Sequence, residues 1–181
     1  MTQINWGSVA DWVSGVGSLA AATVALYLAR RNDGIRMQGY CGLRISVGGG
    51  LAQHELVFIS VINIGTRSTV IQLIGMRVGR FKKRQAVISM ARDMNSVGTP
   101  YPLADGQQAH WGIPLDEEKT WLRYSCRGFI LTPSDVRTLT IQVHTTHGYT
   151  LNIRPEEPLR KAMLTLLAEH KENSKASQAA L

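Results

Sequence analysis

The chain reads as a mainly β protein: an N-terminal transmembrane helix, then an antiparallel β-sandwich of about seven or eight strands, then a C-terminal amphipathic helix. Three observations predict this. An uncharged run from Trp12 to Ala29 ends at Arg30 and Arg31. Short strand-like runs separated by turn signals follow, with no amphipathic helical pattern between them. Near the end, Leu159, Ala162, Met163, Leu166 and Leu167 recur at helical spacing. The 181 residues suffice for one domain and an appendage. With 44% hydrophobic and 18% charged residues, a disordered chain is excluded. Two cysteines exclude a disulfide-stapled scaffold.

Residues 1–31 form the expected anchor. They are free of Lys and Arg as far as Ala29 and carry a single acid, Asp11. Ser8 and Asp11 fit a loose capping box, with the carboxylate at the positive end of the helix dipole. A helix from Ser8 to Ala29 is about 33 Å long, enough to cross a hydrocarbon core of about 30 Å. Trp6 and Trp12 near one end and Tyr27 near the other match interfacial aromatic belts. A cleaved signal peptide fits less well, because no basic segment precedes the apolar run.

Ser14, Gly17, Ser18, Ala21, Ala22 and Ala25 fall on one side of this helix, with Ala29 below them. Such a smooth face lets a second backbone approach closely, so a homo-oligomer joined through this helix is expected. Arg30, Arg31 and Arg36 flank only the carboxyl end. The positive-inside rule then puts the short N-terminus outside and the C-terminal domain in the cytoplasm. Cys41 and Cys126 would be free thiols there.

Residues 32–37 read as a linker, since Asn32-Asp33-Gly34 stops a helix. The sandwich is expected over 38–155. Its candidate strands are Gly39 to Val47, before Gly48-Gly49-Gly50; Leu56 to Ile64, apolar on both faces and so central; and Thr69 to Val78. Ala86 to Met90, Gln107 to Ile113, Phe129 to Leu131 and a final hairpin follow. In that hairpin a three-residue loop, Thr146-His147-Gly148, pairs Val143 with Leu151 and Ile141 with Ile153. It keeps both apolar sets on one face and puts Gly148 where positive φ is needed. Residues 156–172 form the amphipathic helix, with Pro158 in its first turn, and 173–181 a frayed tail.

The opening W-G-S-V-A-D-W-V-S-G-V-G-S-L-A-A resembles the start of many small bacterial and prophage membrane proteins. V-I-N-I-G-T-R-S-T-V-I-Q-L-I-G resembles the paired strands of immunoglobulin-like domains in such proteins. The resemblance implies an inner-membrane anchor with a cytosolic sandwich, often with a role in phage–host conflict. It carries over no functional residue.

No catalytic residue is expected. His144 and His147 form H-T-T-H, but a metal site needs further ligands and none is placed nearby, so neither a metal nor another cofactor is expected. Gly48-Gly49-Gly50 lacks the Lys-Ser/Thr of a phosphate loop. Asp116, Glu117 and Glu118 read as a solvated loop. The net charge of +7 points to an anionic partner. Its densest source is Arg77, Arg80, Lys82, Lys83 and Arg84, with Phe81 among them. Membrane lipid is the expected anionic surface for this cluster. Nucleic acid ranks second, because no recognition module is visible. The expected function is a non-enzymatic, membrane-anchored interaction or effector module whose cytosolic sandwich binds a ligand or protein, in the phage–host conflict (exclusion or defence) that the resemblance implies. The alternative is a soluble basic sandwich binding nucleic acid, with the N-terminal helix packed on the domain.

Overall fold

The computed structural model describes residues 8–32, 34–47, 54–90, 92–93 and 95–179. Trp6, Asp33 of the linker, Gly48-Gly49-Gly50 and the last two residues of the tail lie outside them.

Helix α1 spans Val9–Asn32. Its start is the expected capping box. The Asp11 carboxylate accepts the Ser8 backbone N–H at 2.9 Å and hydroxyl at 2.8 Å, and Ser8 Oγ accepts the Asp11 N–H at 3.3 Å. Over Val9–Arg30 the helix is long and apolar enough to cross a membrane. Residues 8–30 are exposed throughout, so over them α1 is not packed into the described residues of the β domain.

Ten strands follow among the described residues, more than the sequence suggests. They are β1 (Met37–Ser46), β2 (His54–Asn63), β3 (Thr69–Val78), β4 (Arg84–Ile88), β5 (Arg92–Asp93), β6 (Ser96–Val97), β7 (Tyr101–Leu103), β8 (Gln108–Pro114), β9 (Thr140–Thr145) and β10 (Thr150–Ile153). They form two antiparallel sheets. One has the order β1-β2-β8-β6-β5; the other has β10-β9-β3-β4, with β7 paired to β3. β2 is flanked on both sides, which explains why its side chains are apolar on both faces. The strands β5, β6 and β7 are two or three residues long, too short to leave a periodic signal.

The last hairpin has the expected register. Leu151 faces Val143 and Ile153 faces Ile141. Gly148 has φ 75°, in the left-handed region where a side chain is strained.

One hydrophobic core joins both sheets. Cys41, Val57, Ile59, Val61 and Trp111 come from the first, and Ile74, Met76, Val78, Ile141 and Val143 from the second. Trp111 is fully buried and donates its indole N–H to the Gly98 carbonyl at 2.8 Å, which removes the cost of burying that polar group.

Two helices between the strands correct the expectation that none is there. α2 (Thr120–Gly128) buries Leu122, Ser125 and Cys126. α3 (Pro133–Thr138) starts at a complete capping box, Thr132 with Asp135, and has Pro133 in its first turn. Phe129 to Leu131 is the link between them, not a strand. α4 (Glu157–Ala179) runs past residue 172, so most of the expected tail is helical. Its Leu159, Met163, Leu166 and Leu167 are buried, and it packs on α2, α3 and β1.

Candidate functional site

The two ends of the β domain differ in what they present. The end joined to α1, its anchored end in the sense of that covalent link alone, is set by the chain itself. Residue 34 follows α1 by two peptide steps, so its Cα lies within about 8 Å of that of Asn32. Gly65, in the β2–β3 turn, donates its N–H to the Arg36 carbonyl at 3.1 Å, and Ile64 does so at 2.9 Å. A Cβ on Gly65 would stand 2.9 Å from the Arg36 nitrogen and 3.0 Å from the Gly34 oxygen, so the close approach requires glycine. Asn63 is fully buried at the centre of this corner. Its amide donates to the Arg67 carbonyl at 2.9 Å and the Leu103 carbonyl at 3.4 Å, and it accepts the Gly65 N–H at 3.0 Å. The surface above is formed by Arg36, Ile64 and Arg67, all exposed.

The basic cluster lies at the opposite end. β3 leaves the anchored corner at Thr69 and reaches the β3–β4 loop, residues 79–83, after Val78. Ten extended residues cover about 30 Å. Arg80, Phe81, Lys82 and Lys83 are exposed on that loop. Phe81 is 92% exposed, and the Arg80 guanidinium carbon lies 5.9 Å from its ring centroid. Arg77 is half-buried on β3 and pairs in register with Gln85 of β4 and Thr140 of β9.

Arg84 stands apart from the other four. Its guanidinium donates to the Asp135 carboxylate at 2.9 Å and lies 5.8 Å from the Phe129 ring centroid. Asp135 also accepts the Leu131 and Thr132 N–H groups, each at 3.0 Å. Burial raises the Asp135 pKa, but these N–H bonds, the Thr132 side chain and Arg84 outweigh it and hold the carboxyl below its ordinary value. Arg84 therefore clamps the loop to α3. A second clamp is the Gly79 N–H donated to the Thr138 hydroxyl at 3.0 Å. That bond brings Arg137, exposed beside Thr138, to the same end. Sequence reasoning missed Arg137 because it is far from the cluster in the chain. Among the described residues, Arg77, Arg80, Lys82, Lys83 and Arg137 form no ion pair.

A groove of about 410 Å³ runs along the outer face of the second sheet. Gly75 is in its floor, and Leu73, Gln85, Val87, His144 and Thr150 are among its walls. Gln85 donates to Gln142 at 3.1 Å and Gln142 to Asn152 at 3.1 Å, an amide chain crossing the sheet. The outer face of the first sheet carries Tyr40, Phe58 and His110, with neighbouring ring centroids 6.1 and 5.6 Å apart. Arg44, which lies over Tyr40, is locked to Glu156 by two bonds of 2.8 Å. Uncompensated positive charge thus collects at the loop end of the second sheet.

The other chemistry-bearing residues have structural partners. Asp116 accepts the Thr120 N–H at 2.6 Å and hydroxyl at 2.5 Å, closing the first turn of α2. His144 contacts the Thr150 hydroxyl at 3.1 Å and His147 the Thr69 hydroxyl at 3.2 Å. No group of three His, Cys, Asp or Glu able to hold a metal occurs among the described residues. Burial, with Glu156 nearby, pushes the Cys41 thiol up to about 12; burial pushes Cys126 up to about 11. Both sulfurs act as small apolar packing groups. Ser14, Gly17, Ser18, Ala21, Ala22 and Ala25 are exposed on α1.

No family model and no curated protein matches the chain. Among the solved structures that resemble it weakly are two of low identity. A late embryogenesis abundant protein is 12% identical, with 80% of this chain and 81% of that chain covered and a TM-score of 0.31. The structural genomics target SoR45 is 14% identical, with 69% and 84% covered and a TM-score of 0.25. Likenesses of this size carry no argument about the chain.

Proposed function

We propose that the protein is a single-pass, membrane-anchored binding module with no catalytic chemistry of its own. The exposed α1 carries this reading. Trp12, Val13, Val16, Leu19, Val24, Leu26 and Tyr27 are each more than half exposed on a helix that contributes no residue to the hydrophobic core formed by the described residues. A free apolar helix of this length is stable in a bilayer and a liability in water. The basic stop at Arg30 and Arg31 supports a cytoplasmic β domain, whose two sheets we read as a sandwich. Arg36, Ile64 and Arg67 at the anchored corner then rest on anionic headgroups, each cation contributing about 1 kcal/mol. The far end, with Arg80, Lys82 and Lys83, is free for a cytoplasmic partner.

Membrane fractionation tests the anchor. The full chain should stay in the membrane pellet through high-salt and alkaline washes and be released only by detergent. Recovery in the soluble fraction without detergent would contradict it and favour the basic soluble domain.

A further inference from the structure

We infer that the basic end of the β domain, with the groove beside it, binds single-stranded nucleic acid. The inference rests on reading the domain as a module for an anionic partner and names that partner. Three observations carry it.

The first is position. The loop lies at the far end of β3, about 30 Å from the anchored corner. That is several screening lengths of about 8 Å at physiological salt. In a domain standing on its anchored corner, the loop senses little of the headgroup charge there and is open to a polyanion in solution.

The second is chemistry. Arg77, Arg80, Lys82, Lys83 and Arg137 are free of carboxylate partners among the described residues, a string of charges suited to successive phosphates. Phe81 stands 92% exposed among them. An aromatic face surrounded by cations is what a stacked, unpaired base needs.

The third is continuity. Gln85, the register partner of Arg77, is also a wall of the groove on the second sheet. A strand whose phosphates lie on the loop is thereby led onto a floor with amide groups and the apolar flanks of Leu73 and Val87. Of the bonds along the amide chain, Gln85 uses its NH2 and Asn152 its oxygen. The Gln85 oxygen and the Asn152 NH2 remain to meet base edges.

The test is fluorescence anisotropy of labelled oligouridylate and oligothymidylate, each about 20 nucleotides, with the full chain in a neutral detergent. Affinity for at least one of them should fall steeply between about 50 and 300 mM salt. Lys82→Gln with Lys83→Gln should weaken binding at low salt by about tenfold and reduce the salt slope by about 1.4. Lys82→Arg with Lys83→Arg should restore both. Phe81→Ala should weaken binding by about tenfold and leave the slope unchanged, because stacking releases no counterion. The same protein in neutral and in anionic lipid nanodiscs should bind alike at physiological salt. Absence of salt-dependent binding, affinity indifferent to both the Gln pair and Phe81→Ala, or loss of binding only in anionic nanodiscs would each overturn the inference. The last would mean that the loop lies on its own bilayer. Solubility without detergent would end the anchor and leave this assay readable, whereas absent binding would leave the anchor standing.

Discussion

Replacing Asp135 by Ala should destabilise the β domain by about 2–3 kcal/mol. The carboxylate closes the capping box of α3 and accepts the Leu131 and Thr132 N–H groups and the Arg84 guanidinium. Loss of such a box costs about 1 kcal/mol. Depriving the Leu131 N–H, which lies outside the box, of its part-buried acceptor adds about 1–2 kcal/mol. Arg84→Gln should cost under about 1 kcal/mol, because the Arg84 side chain is 41% exposed and solvent screens the pair. At about 2–4 °C per kcal/mol for a domain of this size, Asp135→Ala should lower Tm by about 5–10 °C. The assay is thermal unfolding of the full chain in detergent, followed by tryptophan fluorescence. The Asp135 pKa is depressed in the folded state. Its stabilisation is therefore complete above the ordinary carboxylate pKa and is lost as pH falls through the lower folded value. Asp135→Asn should flatten that acid-side loss. A Tm change under about 1 °C for Asp135→Ala would refute the clamp.

Asn63→Ala should cost about 2–4 kcal/mol, since a fully buried amide with three backbone bonds is lost at the anchored corner; an unchanged Tm would show that the corner is held otherwise. Cys41 and Cys126, with thiols pushed up to about 12 and 11, should resist an aromatic disulfide reagent at neutral pH until the chain is denatured; rapid reaction of the folded protein would contradict their burial. If the smooth face of α1 joins protomers, cross-linking in membranes should fall for Gly17→Ile and Ala21→Ile and persist for Val16→Leu. Equal cross-linking in all three would make α1 an anchor only.

Much of the fold was legible because the governing patterns are local. The capping box at Ser8, the central β2 and the register of the last hairpin each follow from residues close together in the chain. The signal for α3 was also present, since Thr132-Pro133-Ser134-Asp135 is a complete helix start. Only six residues of helix follow it, too few to show a periodicity. For α2 the buried set is Leu122, Ser125 and Cys126, in which a serine interrupts the apolar stripe. The basic cluster was legible as a run of charge, but its internal division was not. Arg84 is removed from it, and Arg137 added, by contacts with α3 that span more than fifty positions in the chain. Likewise, the distance between the cluster and the anchor follows from the course of β3, which no local pattern encodes.

The central claim is that α1 holds the β domain on the cytoplasmic side of a membrane. Its most direct measurement is protease protection in intact spheroplasts of a bacterial host expressing the full chain. The β domain should survive protease added outside and be cut once the membrane is opened with detergent. Digestion of the domain in intact spheroplasts would contradict the account, placing Arg80, Lys82 and Lys83 on the side where no cytoplasmic polyanion can reach them.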